Sequence, residues 1–308
     1  MKIKIQLLSF LLLVCLLSVG FKAFAQQESQ FTQYMYNTSS INPAYAGSRG
    51  SLSMLGLYRA QWVGLDGAPE TLNFAAHTPL GSQGIGLGIG FMSDKIGASS
   101  ENIITADVSY TITFAENVKL AFGIKGGLSL LDIDPSKLTA YNPNDYDLAK
   151  KGYASPMIGG GLYLYSDKWY LGLSTPNFLE TEFYDEVKVS TATEKAHFYM
   201  LGGYVFAIND NLKLKPSAMI KGVVGAPMAF DVSANALIYN KVNFGLAYRF
   251  DAAVSALAGF RVTDQIMIGY AYDYSTSELQ DFNNGSHEIF LRFEVGSLYS
   301  AKMSPRFF

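Results

Sequence analysis

The sequence has almost no cysteine and no long apolar run after its N-terminal segment. Cys15 is the only cysteine, and it lies inside that segment. The rest of the chain therefore has neither a disulfide framework nor thiol chemistry. Beyond the segment, no stretch of about 18 consecutive apolar residues occurs, so the sequence predicts no transmembrane helix.

Charge is also scarce and nearly balanced. Lys and Arg total 23 and Asp and Glu total 26, together 16% of the 308 residues. Without a basic excess, the chain is not expected to bind nucleic acid. Aromatic residues make up 14% and glycines number 29. With no membrane helix, this composition favours the other structure that satisfies every backbone polar group in lipid, a closed β-barrel.

The N-terminus has the three parts of a secretory signal peptide. Basic residues in Met1–Lys4 precede the apolar stretch Ile5–Val19, and Ala23–Ala25 forms an A-x-A cleavage site. We predict cleavage between Ala25 and Gln26. The alternative is a membrane anchor helix, for which the apolar stretch is short against the roughly 20 residues that a span requires.

Strict alternation of side chains is the strongest pattern in the chain. Apart from Asn102 and Gly126, apolar residues occupy the even positions of 102–114 and 118–130, and mostly polar or small residues occupy the odd positions between them. Period two is typical of a β-strand, because successive side chains point to opposite faces. The residues predicted to face lipid are Ile104, Val108, Ile112, Leu120, Phe122 and Ile124. The residues predicted to face the lumen are Thr105, Asp107, Thr111, Lys119 and Lys125.

The same pattern predicts fourteen strands, although totals of 12 or 16 stay open because strand edges are uncertain by about 2–4 residues. The strands are 51–59, 70–77, 85–93, 102–114, 118–130, 157–165, 169–174, 197–206, 212–221, 229–239, 242–250, 253–262, 266–274 and 287–295. Connections after even-numbered strands are short polar turns, whereas the long ones, 131–156, 175–196 and 275–286, follow odd-numbered strands. Such sorting is typical of an outer-membrane β-barrel with short periplasmic turns and long outer loops. Both termini would then be periplasmic, and Tyr110, Tyr165, Tyr239 and Tyr274 would suit the interfacial girdles.

Three segments are therefore expected: a signal peptide at 1–25, a periplasmic or luminal segment at 26–50, and the barrel at 51–308. Residues 26–50 lack strand alternation but carry Phe31, Tyr34, Tyr36 and Tyr45. Exposed aromatics would be unfavourable, so we expect this segment to fold into the barrel or lie against its periplasmic rim.

Motifs for catalysis or cofactor binding are weak. In the run 84–90 glycine recurs at every second position, unlike a nucleotide-binding fingerprint, and this places the glycines on one strand face. His77, His197 and His287 are isolated in sequence, whereas zinc requires three or four ligands. An acidic loop around 132–147 is read as solvated rather than as a calcium site. No serine can be paired with His77 as in a barrel lipase. We expect no catalytic residue, cofactor or metal.

A more specific signal is a resemblance to a known family. It is carried by QYMYN (33–37), INPAYAGSRG (41–50), YRAQWVGLDGAPET (58–71), HTPLGSQGIGLG (77–88), SDKIG (93–97) and the ending SPRFF (304–308). These strings resemble the PorP/SprF family of type IX secretion system outer-membrane proteins. The resemblance implies a non-enzymatic barrel in the Gram-negative outer membrane that supports secretion or surface anchoring of a large secreted protein, such as a gliding adhesin. Other members work within the core machine, so contact with other secretion components is also implied.

Two sets of residues follow as candidate partner contacts. The first, from the family motif, is Asn42, Pro43, Tyr45, Gly47, Arg59, Gln61, Trp62 and Gly64. The alternative for these is a purely structural role. The second, aromatic anchors in the long loops, is Tyr141, Tyr146, Tyr153, Phe178, Phe183 and Tyr184. The rival function is a diffusion channel or a transporter of hydrophobic ligands, which fits the same strand count.

Overall fold

A computed structural model describes residues 30–134, 151–182, 193–224 and 226–295. One antiparallel sheet closes on itself as a ring of fourteen strands, which confirms the predicted barrel and strand number. Its strands are β1 Ser53–Ala60, β2 Glu70–Leu80, β3 Ile85–Ile96, β4 Ser99–Ala115, β5 Val118–Ile133, β6 Lys151–Ser166, β7 Trp169–Thr175, β8 His197–Tyr204 continued by Phe206–Asn209, β9 Leu212–Val223, β10 Ala229–Ile238, β11 Val242–Arg249, β12 Ala253–Arg261, β13 Ile266–Ser275 and β14 Ser286–Glu294. Pairing of β1 with β14, from Ser53–Glu294 to Ala60–His287, closes the ring.

Little regular structure lies outside the ring. Helix α1 covers Thr38–Ile41, and two 3-10 turns cover Pro43–Tyr45 and Glu278–Phe282. A ladder of two-residue strands joins Thr181–Glu182 to Thr193–Glu194. In the part of the chain that the structure describes, no helix has the length and apolar character to span a membrane.

Side chains alternate around the wall as the sequence pattern predicts. Ile104 and Val108 are each 54% exposed on the outside, whereas Asp107 between them is 5% exposed and faces the lumen. On β5, Phe122 and Ile124 face outward and Lys125 is buried inside. Tyr110, Tyr239 and Tyr274 are exposed, as girdle residues would be. Tyr165 is not, because it faces the lumen and is 6% exposed, so its assignment to an interfacial girdle was wrong.

The two ends of the barrel differ in their connections. At one end, which we call the short-turn end, the strands are joined by tight turns such as Glu116–Asn117, where Asn117 has φ 59°. Asn tolerates this left-handed conformation better than most residues, which suits a hairpin turn. At the other, long-loop end lie the connections after β1, β5, β7 and β13. The predicted sorting of connection lengths is confirmed.

Residues 31–50 fill the lumen, and we call them the plug. Phe31, Tyr34, Met35, Tyr36, Ala44 and Tyr45 are all 6% exposed or less. Gly50 leads directly to β1 at the short-turn end, whereas Phe31 lies against Arg249, the last residue of β11, at the long-loop end. The plug therefore runs through the barrel from one end to the other. The expectation that both termini lie at the periplasmic side fits the strand ends, but the described chain begins at the opposite opening.

Candidate functional site: the plugged lumen

At the long-loop end, the plug is held by a buried cluster of charges. Arg59 on β1 forms ion pairs with Asp273 on β13 (2.7 Å) and Glu288 on β14 (3.1 Å). The Thr32 hydroxyl donates to Asp273 (2.7 Å) and accepts from Arg59 (3.0 Å). Backbone N–H groups of Thr32 and Gln33 donate to the Glu288 carboxylate at 2.9 and 2.8 Å. Each charge thus has an oppositely charged partner within the cluster, as burial requires, although the Arg59 Nε–H has no hydrogen-bond acceptor among the described residues.

A second ion pair lies beside this cluster. Arg249 Nε is 2.7 Å from an Asp231 carboxylate oxygen, and Arg249 Nη2 donates to the backbone oxygen of Phe31 at 3.4 Å. Asp231 on β10 and Arg249 on β11 are directly paired in the sheet. The charge of Arg249 is therefore balanced within the wall by Asp231, and a second nitrogen of its guanidinium binds the plug.

In the middle of the barrel, two plug tyrosines contact the opposite wall. The Tyr36 ring lies 4.5 Å from Phe290 between ring centroids and 5.4 Å from the Arg292 guanidinium. The Tyr36 hydroxyl accepts from Asn243 at 2.5 Å, and the Tyr34 hydroxyl lies 3.4 Å from that of Ser233. Both tyrosine hydroxyls are therefore in contact with polar side chains of the wall.

The Asn-Pro pair of the motif shapes the next turn. The Asn42 side-chain oxygen accepts from the Ala44 N–H at 3.0 Å, which caps the 3-10 turn that Pro43 begins. Pro suits the first position of such a turn, because its φ is already fixed and no N–H is needed. Asn42 Nδ2 also donates to the Leu162 carbonyl of β6 at 3.0 Å. Asn42 therefore joins a local turn to the wall.

At the short-turn end, the motif residues make close internal contacts. The Tyr45 ring meets His77 and Tyr163 edge-on, each at 5.3 Å between centroids. The Gly47 N–H donates to His77 Nδ1 at 3.2 Å, and Gly47 has φ +71°, which favours glycine. Arg49 pairs with Glu294 of β14. This end of the plug is thus fixed to β2, β6 and β14.

Inward-facing glycines make the space that the plug occupies. A Cβ at Gly86 would overlap the Ala46 carbonyl, and one at Gly123 would overlap the backbone of Pro43 and Ala44. A Cβ at Gly161 would overlap the Asn42 side chain. The alternating glycines of β3 were predicted to lie on one face and open space there. The structure shows that the chain's own N-terminal segment fills that space.

Two small cavities lie beside the plug in the part of the chain that the structure describes. A cavity between the plug and β2–β5 has a volume of about 70 Å³, and one bounded by Phe31, Tyr34 and Asp231 has about 20 Å³. Both are far below the roughly 300–1,000 Å³ that is usual for a ligand site.

The remaining motif residues lie in the loop after β1. Trp62 has φ 49°, and its backbone N–H donates to the Ser286 hydroxyl at 3.1 Å. The backbone N–H of Gln61 donates to the Pro69 carbonyl. Gly64 has φ +97°, again a glycine conformation. Arg59 does not point into this loop but into the lumen, onto Asp273 and Glu288.

The long-loop anchors are only partly described. Phe178 follows β7 and is 52% exposed, where it packs on Gly160 of β6. Tyr153 lies on β6 and is half-buried. The other four, Tyr141, Tyr146, Phe183 and Tyr184, lie outside the described residues, as do Ala25 and Gln26 of the cleavage site. Partner contact at all these positions stays a prediction.

Groups that could carry other chemistry are engaged in internal contacts or scattered. His77 is 5% exposed, and its Nδ1 already accepts from Gly47. Within residues 30–134, 151–182, 193–224 and 226–295, no cluster of His, Cys, Asp and Glu has the composition of a metal site. The acidic loop is described only at Asp132 and Asp134. That the protein has no catalytic activity and binds no cofactor therefore stays a prediction.

The closed ring, its apolar outer wall and its internal plug define a plugged outer-membrane β-barrel. The sequence profile described as "Type IX secretion system membrane protein PorP/SprF" matches residues 23–293. The chain belongs to this family, as the motif resemblance predicted, and the fold and family together place it in the outer membrane.

Comparison with solved structures found barrels of low sequence identity. The toluene transporter TbuX of Ralstonia pickettii has a TM-score of 0.48 at 11% identity, over 82% of this chain and 91% of that one. Omp33 of Acinetobacter baumannii has a TM-score of 0.46 at 9% identity, over 80% and 100%. A FadL homologue of Pseudomonas aeruginosa has a TM-score of 0.44 at 11% identity, over 83% of this chain and 93% of that one. A search of curated proteins gave no significant match.

Proposed function

We propose that this protein is a non-enzymatic docking barrel, which supports secretion or surface anchoring of one large secreted partner of the type IX system, such as a gliding adhesin. The observation that carries the proposal is the plug, which fills the lumen and is bonded to the wall at both ends and in the middle. A barrel closed in this way acts through its surfaces rather than through its lumen. Its outer wall contacts lipid, and other secretion components are further candidate partners.

The same observation argues against the rival function. A diffusion channel or transporter of hydrophobic ligands requires a path through the lumen, but the two cavities that the described residues line beside the plug have volumes of about 70 and 20 Å³. Barrel diameter also grows with strand number, so fourteen strands would not admit a large folded protein even without the plug.

Planar-bilayer recording tests the closed lumen. The wild-type barrel should show no steady conductance, because the plug and its buried charge cluster block the ion path. A variant in which residues 31–46 are replaced by a short Gly-Ser linker is the matched control and should conduct. Heat-modifiability on gels verifies that both proteins are folded. Steady conductance of the wild-type barrel, at the level of the plug-deleted variant, would favour the channel instead.

Affinity purification tests the docking role. The tagged wild-type barrel should copurify with one secreted surface protein, identified by mass spectrometry, and deletion of the barrel should remove that protein from the cell surface. Export of other type IX substrates should continue. If no secreted protein copurifies and no substrate changes its surface level, the docking proposal fails.

A further inference from the structure

Two connections at the long-loop end are joined into one surface. The loop between β1 and β2 covers residues 61–69, and the loop between β13 and β14 covers residues 276–285. The Val63 N–H donates to the Gly285 carbonyl, and the Asn284 N–H donates to the Val63 carbonyl, both at 2.8 Å. The two loops are therefore bonded to each other through their backbones.

The joined loops are also fixed to the connections on either side of them. The Thr276 N–H donates to the carbonyl of Ala252, in the turn between β11 and β12, at 2.9 Å. On the other side, the N–H of Gly97, in the turn between β3 and β4, donates to the Gly67 carbonyl at 3.0 Å. Both loops and both turns lie within the described residues. A surface held in this way loses little conformational freedom when it binds a partner.

Trp62 adopts an unusual backbone conformation in the first of these loops. Its φ of 49° is uncommon for a residue with a bulky side chain. Its N–H donates to the Ser286 hydroxyl at 3.1 Å, which helps to hold it there. Such conformations persist only where the surrounding structure enforces them, and they cluster at functional sites. Gln61 and Gly64, two other candidate contacts from the motif, lie beside Trp62 in the same loop.

The joined loops expose four large apolar side chains, which we call the rim patch. They are Val63, Leu65, Leu279 and Phe282, and Phe282 is 68% exposed. Leu65 and Phe282 each lie two residues along the chain from the bond between Val63 and Asn284, which brings the two loops' apolar residues into one region. Exposed apolar groups gathered in this way mark interaction sites, and an aromatic side chain is a common anchor of an interface.

The charge around the rim patch is acidic. Asp66, Glu278 and Asp281 are exposed in the two loops, and neither loop contains Lys or Arg. Lys95 on β3 lies opposite Glu70 of β2 in the ladder, so that cation has an acidic neighbour of its own. An apolar centre with a charged rim is typical of a protein–protein interface.

We propose that the rim patch binds the secreted partner through a partner surface that carries apolar side chains flanked by Lys or Arg. This inference rests on the proposed docking function. The partner's apolar side chains pack on Phe282 and its neighbours, and its cations meet the carboxylates of Asp66, Glu278 and Asp281. Complementary charge of this kind steers association and fixes the orientation of the partner.

Charge selects this occupant over others. An anionic lipid headgroup would be repelled by the three carboxylates, since like charges at an interface are unfavourable. A second copy of the barrel would bring two sets of these carboxylates together, at the same disadvantage. A wholly apolar partner would cover the patch but leave the surrounding carboxylates without water or a cation. An apolar surface flanked by basic residues satisfies both the patch and its rim.

Neutralising the acidic rim tests the role of charge. The rim variant combines Asp66→Asn, Glu278→Gln and Asp281→Asn. The matched control removes the same three kinds of charge from exposed positions at the short-turn end, by Asp210→Asn, Glu116→Gln and Asp264→Asn. At low salt, the rim variant should bind the purified secreted protein with an association rate about tenfold lower than wild type, and added salt should narrow this difference. The control should associate like wild type, and an equal loss in both variants would overturn the proposal.

Phe282 provides a test of the apolar contact. Phe282→Ala should weaken binding of the same secreted protein about tenfold, as loss of an interface anchor does. Phe114, which is 66% exposed at the short-turn end, is the matched control, and Phe114→Ala should bind like wild type. Benzoylphenylalanine in place of Phe282 should crosslink to a segment of the secreted protein with basic residues beside apolar ones. Crosslinks to lipid alone, or to a second copy of the barrel, would overturn the proposal.

The two proposals fail in different ways. Heat-modifiability on gels verifies that every variant is folded. If wild-type barrel binds the secreted protein and the rim and Phe282 variants bind it equally well, the rim patch is not the contact and docking survives. If wild-type barrel captures no secreted protein, the docking function itself is wrong.

Discussion

At the level of single residues, Arg59 connects the plug to two strands of the wall at once. Its guanidinium contacts Asp273, Glu288 and the Thr32 hydroxyl, and its side chain is 3% exposed. Charges buried this deeply are stable only as a paired set, because each has lost its hydration. Removing one member of the cluster should therefore lower the free energy of unfolding by more than the contribution of a single contact.

Replacing Arg59 by Met should destabilise the folded barrel by about 3–5 kcal/mol, because two carboxylates stay buried without their cation. The measurement is the urea dependence of unfolding in detergent micelles. A triple variant, Arg59→Met with Asp273→Asn and Glu288→Gln, has no uncompensated charge and should recover much of the loss. A single variant as stable as the triple variant would show that the cluster is not paired as described.

The inward glycines give a second test at this scale, with a control on the same strand. Gly123→Ala places a methyl group against the backbone of Pro43 and Ala44, whereas nothing lies within 4 Å of a Cβ at Gly126, which faces outward. Gly123→Ala should cost about 1–3 kcal/mol, as overpacking usually does, and should expose the plug to trypsin. Gly126→Ala should behave like wild type. Equal protease resistance in the two variants would contradict the assigned seat of the plug.

At the level of strands, the outer wall makes a prediction about assembly. Val108 faces outward at the middle of β4, and Phe122 faces outward on β5 beside Tyr110. Val108→Arg should cost about 2–4 kcal/mol, because a cation at mid-depth meets hydrocarbon, and Phe122→Arg should cost less, because it lies nearer the interface. The readout is the folded fraction on heat-modifiability gels, with Val108→Leu and Phe122→Leu as controls. Normal folding of both arginine variants would place these residues away from lipid.

The strands were predictable because apolar and polar residues alternate along the sequence, as at Ile104, Asp107 and Val108. The plug was foreseen only as an aromatic segment that had to be covered. Its bonds were not predictable, since Thr32 and Glu288 are 256 positions apart and no sequence period joins them. Alternation also misassigned Tyr165, where the lumen accepts an aromatic ring.

The alternation of β4 alone predicts that Ser109, as a luminal residue, tolerates substitution, but its contact with the plug argues against this. Ser109 faces the lumen, and its hydroxyl donates to the plug at the Ala46 carbonyl (2.8 Å). A Cβ at Gly86 would also approach that hydroxyl within 2.5 Å. A larger side chain at Ser109 therefore meets the plug rather than water, which the alternation of β4 alone does not reveal.

At the scale of the whole molecule, the course of the plug predicts an unusual arrangement of the chain in the membrane. Gln30 lies beside Lys221 and Asp231 at the long-loop end, and long loops of such barrels face outward. A short epitope inserted before Gln30 should thus bind antibody on intact cells. The same epitope inserted between Gly50 and Ser51, at the short-turn end, should bind only after the outer membrane is opened. If only the second variant were labelled on intact cells, the plug would run through the barrel in the opposite direction.

The bonds between the plug and β14 set an order for folding. Thr32 and Gln33 belong to the part of the chain that is synthesised early, yet their acceptor Glu288 lies on the last strand, and so does Glu294, the partner of Arg49. The plug can be locked only when β14 has arrived and paired with β1. An incomplete barrel would hold its plug loosely and stay open to proteases. The last strand thus supplies a bond to each end of the plug, so a chain truncated before β14 cannot hold its plug in this way.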